Sequence, residues 1–302
     1  MDTAPSRPFL ALPALIHPRR VIGGRVFDFS REVAVMAIIN RTPDSFYDRG
    51  ATYALDAAVG AARRAIDDGA DWVDIGGAKF APGPAIPVEE EIDRVVPVVL
   101  ALCGADTVIS VDTFHPRVAA AAIAAGAHVI NDTTGIHDPA MADVVADSDA
   151  SLVITHSLAP PRTPHPAPSY GDVVDEVSEF LQQRVRLALE HGVPAERIIV
   201  DPGHDLNKNT VHSLELTRRL AEITAVGYPT LVAVSNKDFV GETLSRERGA
   251  RVEGSLAAAV YCILQGARIV RMHNVTAAVD AVRMTEAILG LRQPAYLRHN
   301  QA

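Results

Sequence analysis

The sequence contains few of the residues that build disulfide frameworks, thiolate metal sites or aromatic surfaces. Of its 302 residues, only two are cysteine, one is tryptophan and 5% are aromatic. Cys103 and Cys262 are far apart and form no CxxC pattern, so neither a disulfide framework nor a thiolate metal site is indicated. Reduced thiols in a cytoplasmic protein are the simplest expectation.

Long apolar runs and an excess of positive charge are also absent. The N-terminal run FLALPALI is short, is broken by Pro13 and is followed by HPRR. No segment approaches the roughly 20 apolar residues of a membrane span. The formal charge of −9 argues against a general surface for nucleic acid or for an anionic membrane, although a local anion site remains compatible with it. We therefore expect no nucleic-acid partner and no membrane partner.

Short β-branched runs alternate eight times with Ala-rich segments of helical period, which is the pattern of parallel strands joined by helices. The runs are VAVMAII (33–39), DWVDIGG (71–77), VISVDT (108–113), HVINDT (128–133), SLVITHS (151–157), RIIVDPG (197–203), TLVAVS (230–235) and RIVRMHNV (268–275). Apolar strands buried on both faces predict an α/β fold of the (β/α)8 TIM-barrel class. An open doubly wound sheet is the alternative, but neither GxGxxG nor GxxxxGK[ST] follows a strand.

The segments outside these repeats suggest the domain organisation. VIGGRVFDFS (21–30) has two strand-like pieces around a Gly-Gly pair and predicts an N-terminal β-hairpin at the bottom of the barrel. We expect a flexible extension over residues 1–20, a single barrel domain over 21–295 and a tail over 296–302. The proline-rich segment SLAPPRTPHPAPSYG (157–171) is expected at the top face, either as a lid or as a tolerated insertion.

A polar residue stands at the C-terminal end of every predicted strand, where barrel enzymes carry their chemistry. The set comprises Asn40, Asp74, Asp112, Asn131 with Asp132, His156, Asp201, Ser235 with Lys237, and Arg271 with His273. A single Asp or Asn after a strand is more often a turn former or a helix cap. Because the pattern occurs after every strand, we interpret the set as a candidate site.

One part of this set fits a flat heterocyclic ligand. Asp112 and Asp201 supply carboxylate acceptors, and Asn131 supplies an amide that both donates and accepts. These are the groups that recognise a ring edge with adjacent NH and C=O groups, and a carboxylate facing two such donors makes a paired, charge-assisted contact.

The other part fits phosphate. Lys237, Arg271 and His273 concentrate positive charge at the last two strands, where barrels often hold phosphate. A metal site built by protein alone is not indicated, because the histidines lack i, i+4 spacing and no carboxylate cluster accompanies them. Mg²⁺ held largely by ligand phosphates needs only one or two protein oxygens, and Asn40 is a candidate for one. No arrangement for a covalent nucleophile stands out, so no catalytic residue is assigned.

Seven motifs resemble those of dihydropteroate synthase, in order and one per strand. They are NRTPDSFYDRG (40–50), DIGG…PG (74–83), ISVDT (109–113), INDTTG (130–135), DPG…K (201–208), SNKDFVG (235–241) and RIVRMHNV (268–275). The resemblance spans about residues 21–290 and implies a (β/α)8 barrel, usually a homodimer. Members of this family of folate biosynthesis join 6-hydroxymethyl-7,8-dihydropterin pyrophosphate to p-aminobenzoate and release pyrophosphate.

The resemblance also implies a role for each matching position. The residues it assigns to the pterin ring are Asp112, Asn131, Asp201 and Lys237. Those it assigns to the pyrophosphate and its Mg²⁺ are Arg271, His273 and, at the metal, Asn40. In the implied mechanism the C–O bond to pyrophosphate breaks first, and the arylamine nitrogen attacks the pterin-stabilised cation. The protein then stabilises charge and excludes water.

The chain departs from the family pattern where the second substrate is expected. The usual DIGGESTRPG is DIGGAKFAPG here, which gives an altered arylamine loop at Lys79, Phe80 and Ala81, with Phe80 and Ala81 in place of the family Thr and Arg. The usual SRKS is SNKD, and DPGIGFGK is DPGHDLNK. Further departures are Arg41 for Val in the first motif, Leu206 for Phe, and Thr155 for the Met before the strand-5 His.

These departures favour a divergent member with weak or lost synthase activity. Each lost charged partner of a phosphate or carboxylate costs about 1.5–3 kcal/mol, or roughly 10- to 150-fold. The pattern is similar to divergent second copies of dihydropteroate synthase. One alternative is a working synthase in which Lys79, Phe80 and Arg41 build a different arylamine site. A methyltransferase-like pterin-binding barrel and a purely structural dimer partner are further alternatives.

Overall fold

The computed structural model describes residues 13–41, 55–78, 82–159, 162–163 and 167–300. Its first elements are two antiparallel strands, β1 (Arg19–Ile22) and β2 (Arg25–Asp28). The turn between them places Gly23 and Gly24 at φ 57° and 77°, a conformation that favours glycine. A Cβ on Gly23 would also come within 2.5 Å of the His128 ring. The predicted hairpin is therefore confirmed, and its turn requires the Gly-Gly pair.

The eight strands that follow form one parallel sheet closed into a barrel. They are β3 (Ala34–Asn40), β4 (Trp72–Gly76), β5 (Val108–Asp112), β6 (Val129–Asp132), β7 (Ser151–Thr155), β8 (Ile198–Asp201), β9 (Leu231–Val232) and β10 (Ile269–Met272). Neighbouring strands pair in chain order, and β10 pairs with both β3 and β9. A parallel bridge between Val200 and Thr230 joins β8 to the start of β9 and closes the ring. The predicted TIM-barrel fold is confirmed.

Helices cover the outside of the barrel. They are α1 (Leu55–Asp67), α2 (Val88–Leu102), α3 (Pro116–Ala124), α4 (Ala140–Ala146), α5 (Val173–Glu190), α6 (Thr210–Arg218), α7 (Leu220–Thr224), α8 (Asp238–Leu244), α9 (Val252–Leu264) and α10 (Val275–Ile288). The longest of these helices, α5, has Asp172 as its N-cap residue: the Asp172 carboxylate accepts hydrogen bonds from the N–H groups of Val174 and Asp175. Among the described residues, no helix is long and apolar enough to cross a membrane.

The apolar core has two parts. One lies between the strands and the outer helices, and the other fills the lower half of the barrel interior. The interior part is built from one face of each strand together with the hairpin, and its buried residues are Ile22, Phe27, Phe29, Ala34, Met36, Trp72, Val108, Val129, Val153, Ile199, Leu231 and Ile269. The hairpin thus packs against the bottom of the barrel, opposite the C-terminal face at which barrel proteins carry their sites.

Candidate functional site

A polar layer lies directly above the apolar interior. Successive inward-facing residues of a strand are two positions apart, so each interior apolar residue predicts the residue that stands above it. Two residues beyond Trp72, Val108, Val129, Val153, Ile199 and Ile269 lie Asp74, Ser110, Asn131, Thr155, Asp201 and Arg271. On these six strands the barrel therefore changes from apolar to polar within one layer, whereas β3 and β9 place Ile38 and Ala233 at the same level.

Asp74 is the centre of the hydrogen bonds in this layer. Its side chain is fully buried, and its Oδ1 accepts from Ser110 Oγ at 2.6 Å. Its Oδ2 accepts from Asn131 Nδ2 at 3.1 Å and from Arg271 Nε at 2.6 Å. A buried carboxylate is tolerated when it is paired and hydrogen-bonded in this way. Asp74 therefore fixes the orientation of the two side chains that reach across the barrel to it.

Arg271 joins Asp74 to Asp112. Its Nη2 donates to Asp112 Oδ2 at 3.0 Å, and its side chain is only 14% exposed. Burial raises the pKa of Asp112, and the guanidinium of Arg271 opposes this shift. Burial would lower the pKa of Arg271, but Asp74 and Asp112 outweigh it and hold the pKa above its usual value. Arg271 thus carries a fixed positive charge at the floor of the site.

Asn131 has an unsatisfied acceptor. Its Nδ2 is held by Asp74, which leaves Oδ1 as the outer atom of the amide, and this oxygen is buried without a hydrogen-bond partner among the described residues. Thr155 Oγ1 is a second buried atom of the same layer that lacks one. An unpaired buried acceptor costs about 1–3 kcal/mol. A ligand N–H placed above this layer would remove that cost.

Asp201 belongs to the same polar layer, and one of its two carboxylate oxygens accepts a backbone hydrogen bond. Its Oδ1 accepts from Gly203 N at 2.7 Å, and the residue is 4% exposed. Burial raises its pKa to about 6, although the hydrogen bond from Gly203 and the positive charge of Lys237 lower it. Asp201 therefore becomes ionised as the pH rises through about 6, and its Oδ2 accepts no hydrogen bond from a described residue.

The turn after Asp201 is held from below by a buried lysine. Lys208 Nζ lies 2.8 Å from His156 Nδ1 and donates to the carbonyls of Gly203 and Leu206, each at 3.0 Å. Burial lowers the pKa of Lys208 to about 7, and burial together with Lys208 lowers that of His156 to about 2. A neutral His156 therefore accepts from Lys208. His156, one of the polar residues predicted at the strand ends, therefore has a structural role, because through Lys208 it supports the turn after Asp201.

The first strands of the barrel bring Asn40 beside Asp112. Strand register pairs Asn40 with Gly76, and Gly76 with Asp112. Gly76 lacks a side chain, and a Cβ there would lie 3.5 Å from Asn40 Oδ1 and 3.8 Å from Asp112 Cβ. Among the described residues, no group of three or more His, Cys, Asp or Glu side chains is arranged to hold a metal ion. Asn40 thus ends β3 beside Asp112 at the C-terminal face of the barrel.

The last two strands place Ser235, Lys237 and His273 on the same side of the mouth. Ser235 Oγ accepts from His273 N at 3.1 Å and lies 3.0 Å from His273 Nδ1. Lys237 begins α8 as its N-cap residue and influences the ionisation of Asp201. Asp132, by contrast, caps its own loop, since its carboxylate accepts from Thr134 N and Ile136 N. Its position after β6 is therefore that of a turn former.

Two departures from the family motif DPGIGFGK occupy left-handed backbone positions. Asp205 and Asn207 stand where the motif has glycine and have φ 64° and 51°, a region that Asp and Asn tolerate better than other side chains. Asp205 Oδ2 accepts from Asp238 N at 2.6 Å. Asn207 Oδ1 accepts from Leu158 N at 2.8 Å. The replacements thus tie this loop to α8 and to the proline-rich segment.

The segment SNKD (235–238), which replaces the family's SRKS, takes part in the same contacts, since Asp238 N donates to Asp205. Asn236 has φ 57°, and its Oδ1 accepts from Gly249 N at 3.1 Å. Asp238 accepts from Arg251 Nη1 at 2.9 Å and from Arg248 Nη2 at 3.0 Å. Neither replacement adds a positive charge, and both are engaged by the segment that follows α8.

Arg41, which replaces the Val of the first family motif, hydrogen-bonds to helix α2. Pro97 has no N–H, so the carbonyl of Asp93 four residues earlier loses its helical partner. Arg41 Nη1 donates to this carbonyl at 3.1 Å and to that of Arg94 at 2.6 Å. The arginine therefore compensates for the proline and joins the end of β3 to the helix.

Two of the predicted regions are described only in part or not at all. Lys79, Phe80 and Ala81, the altered arylamine loop, lie outside the described residues. In the proline-rich segment, Arg162 Nη2 donates to Pro84 O at 2.9 Å and Tyr170 Oη donates to Asn207 O at 2.8 Å. The segment thus contacts the loop after β4, and both interpretations, lid and insertion, stay predictions.

Sequence analysis assigned no role in this region to Ser110, Thr155 or Lys208, although Thr155 and Lys208 lie at motif positions quoted above. Ser110 and Thr155 lie in the inward-facing layer, and applying the two-residue period downward from Asp112 would have found Ser110. Lys208 was seen only as part of a motif, because nothing in its neighbours along the chain indicates that it is buried beside His156.

Comparisons with known proteins agree with this geometry. Residues 36–273 match the family described as pterin binding enzyme. The chain is 47% identical over 267 residues to the inactive dihydropteroate synthase 2 of Mycobacterium tuberculosis, covering 86% of this chain and 84% of that protein. It is 38% identical to the dihydropteroate synthase of Escherichia coli, covering 86% and 93%. A structure of the Xanthomonas albilineans dihydropteroate synthase in complex with 7,8-dihydropteroate is 37% identical, with a TM-score of 0.78, covering 90% and 98%.

Proposed function

We propose, because this chain belongs to the family of pterin-binding enzymes, that it keeps a working pterin pocket and has weak or lost dihydropteroate synthase activity. The observation that carries the proposal is the buried, unpaired Oδ1 of Asn131, held in place by Asp74 beside the available carboxylate of Asp201. An acceptor amide and a carboxylate on one layer suit the NH-rich edge of a pterin ring.

The pocket binds the ring through the layer described above. The residues proposed to contact the pterin are Asp112, Asn131, Asp201 and Lys237. A carboxylate that faces ring N–H groups binds best when it is ionised, so the positive charges of Lys237 and Arg271 help by lowering the pKa of Asp201. The rigid hydrogen bonds of Asp74 orient Asn131 and Arg271 before the ligand arrives, which limits the entropy lost on binding.

The pyrophosphate is proposed to lie over Arg271 and His273, with Asn40 as the protein ligand of its Mg²⁺. The donor set fits Mg²⁺ brought in by the ligand, since such an ion needs few protein oxygens and Asn40 Oδ1 lies at the mouth next to Asp112. The metal, when bound, would neutralise charge on the departing pyrophosphate. This chain's residues hold the ring, exclude water from below and present Arg271 to the anionic end.

We propose that the chain has weak or lost condensation with p-aminobenzoate because of the substitutions around the mouth of the barrel. The motif positions that carry Thr and Arg in the family are Phe80 and Ala81 here, and SNKD has no arginine. Arg41 keeps its positive charge, but its Nη1 donates to two carbonyls of α2, so part of its guanidinium is committed to that helix. The similarity to an inactive mycobacterial protein supports the same conclusion.

The proposal is tested by measuring binding and turnover on one sample. We expect calorimetry to detect 6-hydroxymethyl-7,8-dihydropterin pyrophosphate in the presence of Mg²⁺, and we expect little or no pyrophosphate release with p-aminobenzoate. The Escherichia coli synthase serves as the positive control. Turnover at ordinary enzyme rates would favour the alternative of a working synthase, and absence of pterin binding would overturn the proposal.

Restoring the arylamine loop separates the causes of the lost activity. The double substitution Phe80→Thr with Ala81→Arg returns one charged and one hydroxyl group, and one charged hydrogen bond corresponds to roughly 10- to 150-fold in rate. We therefore expect pyrophosphate release to rise at least about tenfold. Phe80→Thr with Ala81→Gln is the matched control without the charge. An unchanged rate in the arginine variant would assign the defect to Leu206, Asn236 or the remaining scaffold.

A homodimer and a cytoplasmic location are further parts of the proposal. Helices α9 and α10 expose Tyr261, Met284 and Ile288 at 41%, 62% and 64%, which suits a protein contact. Cys103 and Cys262 are unpaired, as expected for a reducing compartment. Light scattering that gives a monomer, or a cell fraction other than the cytoplasm, would contradict these two points.

A further inference from the structure

Asp205, in the loop after β8, forms the N-terminal cap of helix α8. Its Oδ2 accepts hydrogen bonds from Asp238 N at 2.6 Å and from Phe239 N at 3.4 Å, the first two N–H groups of that helix. In the part of the chain that the structure describes, the N-cap residue Lys237 makes no capping hydrogen bond with its own side chain. Because the first N–H groups of a helix lack partners within it, a carboxylate from another loop satisfies them here.

The Asp205 carboxylate is itself held in place. Its Oδ1 accepts from Ser213 Oγ at 3.1 Å, and its N–H donates to the same hydroxyl at 3.2 Å. Its backbone has φ 64°, in the left-handed region that glycine adopts more readily than aspartate, and glycine is the residue of the family motif at this position. What the aspartate adds at this backbone position is the contact with α8.

The backbone of Lys237 is held from the opposite side by Arg251. Arg251 Nη1 donates to the carbonyls of Asn236 and Lys237 at 3.2 and 3.0 Å. The same nitrogen donates to Asp238 Oδ1 at 2.9 Å. Asp205 therefore fixes the N–H groups of this turn, and Arg251 fixes its carbonyls. Both contacts define the point from which the Lys237 side chain extends.

The charge of Lys237 acts on the loop after β8. Burial has the largest effect on the pKa of three groups in this loop, Asp201, His204 and Lys208, and the positive charge of Lys237 lowers the pKa of each. The positive groups that act on Asp201 are Lys237, Arg271 and Lys208. Because such an interaction weakens with distance, the position of Lys237 controls part of the ionisation of Asp201.

We propose that Asp205 is a positioning residue, which by capping α8 holds Lys237 at the distance from Asp201 that the pterin site requires. Asp205 touches no ligand and acts through Lys237. Glycine, which the family motif has at this position, has no side chain to make the contact. This inference rests on the proposed function, because it assigns a residue that tunes the proposed pterin site.

The first test needs no ligand. In the full chain with ¹³C-labelled aspartate, the carboxyl signal that disappears in Asp201→Asn reports the ionisation of Asp201. We expect Asp205→Gly to raise the pH midpoint of this signal by about 0.5–1 pH unit, because Lys237 is then less well placed to favour the carboxylate. Direct loss of the negative charge of Asp205 would lower the midpoint instead, so the direction of the change separates the two effects.

The variant Lys237→Gln provides the background that isolates this effect. Burial lowers the pKa of Lys208 and Asp205 raises it, so Asp205 has a second route to Asp201 through Lys208. In the Lys237→Gln background, Asp205→Gly should leave the midpoint of Asp201 unchanged. A further rise there would assign the effect to Lys208 and overturn the inference.

Binding of the pterin pyrophosphate with Mg²⁺, measured by calorimetry, is the second test. We expect Asp205→Gly to weaken binding by about fivefold, and Lys237→Gln by about tenfold or more, as for a lost charged partner. In the Lys237→Gln background, Asp205→Gly should weaken binding by less than about twofold, since residues that act through one another are not additive. Asp205→Asn keeps an acceptor for α8 and should restore most of the affinity.

Asp172→Gly is the matched control, because it removes the carboxylate that caps α5 and should leave both the Asp201 midpoint and the affinity unchanged. Asp205→Gly is expected to fold, since glycine suits the left-handed backbone and the His204 ring still stacks on Phe239, with centroids 5.9 Å apart. If it does not fold, Ser213→Ala removes the hydroxyl that orients Asp205 and should raise the midpoint in the same direction.

Several results would overturn the inference. They are a wild-type midpoint in Asp205→Gly or in its substitute Ser213→Ala, a weaker affinity without a raised midpoint, and equal losses of affinity with and without Lys237. A wild-type chain that binds no pterin pyrophosphate, while the Asp201 midpoint responds as expected, would contradict the proposed function and leave the positioning of Lys237 in place. Pterin binding with an unresponsive midpoint would contradict only this inference.

Discussion

Replacing Asp201 by asparagine is expected to weaken binding of the pterin pyrophosphate by about 10- to 150-fold, the effect of one charged hydrogen-bonding partner, while the chain stays folded. Asparagine has the shape of aspartate and can still accept from Gly203 N with its oxygen, so the turn after β8 keeps its hydrogen bond. What disappears is the negative charge and the second acceptor that the ring N–H groups need. Calorimetric titration of both proteins at pH 7.5 measures the difference.

The same substitution is expected to remove a pH dependence. Burial raises the pKa of Asp201 from 3.8 to about 6, so wild-type affinity should fall as the pH drops below about 6, where the carboxylate becomes protonated. The stability effect has the opposite sign. The folded state binds this proton more tightly than the unfolded state, so the contribution of Asp201 to stability is present below its unfolded pKa and is lost as the pH rises through about 6.

Asp280, exposed on α10, provides the matched control for this prediction. Asp280→Asn makes the same chemical change at the surface and should bind the pterin pyrophosphate like wild type at every pH. Equal affinity of Asp201→Asn and wild type would remove Asp201 from the site. A variant that loses affinity but keeps the fall below about pH 6 would assign that titration to a different group, of which Asp112 is the nearest candidate by its raised pKa.

Much of the barrel and of the polar layer at its C-terminal face could be predicted, because both follow from the two-residue period of strands. Eight apolar runs fix where the strands lie, and the residue that ends each run then belongs to the top face. Asn131 and Asp201 illustrate the success, since each stands two positions beyond an interior apolar residue, Val129 and Ile199. The prediction was therefore accurate where backbone geometry alone determines position.

The partners of these residues could not be predicted in the same way. Whether a polar residue at a strand end faces the barrel interior or caps its own loop depends on one position, as the adjacent residues Asn131 and Asp132 show. The sequence alone makes Arg41 a candidate replacement charge at the mouth, but Pro97, 56 positions away, frees the Asp93 carbonyl that Arg41 binds. Such long-range hydrogen bonds leave no periodic signal in the chain.

Asp74→Ala is expected to lower the free energy of unfolding by about 3–5 kcal/mol, the cost of leaving one member of a buried ion pair without its partner. Asp74 is fully buried and accepts from Ser110, Asn131 and Arg271, so its removal leaves Arg271 paired only with Asp112. Urea unfolding of wild type and variant measures the change. Glu89→Ala is the control, since the exposed Glu89–Arg117 pair should contribute less than about 1 kcal/mol.

The double variant Asp74→Ala with Arg271→Met distinguishes a lost charge partner from a lost shape. In Asp74→Ala the guanidinium of Arg271 keeps only Asp112 as a partner. If the penalty comes from that charge, Arg271→Met should restore part of the stability at a pH below about 7, where the buried Asp112 left without Arg271 is protonated. Pterin binding should stay weak in both variants, since Asn131 loses the carboxylate that orients its amide. A double variant no more stable than Asp74→Ala would attribute the loss to the cavity left by the Asp74 side chain and to its lost hydrogen bonds with Ser110 and Asn131, not to the charge of Arg271.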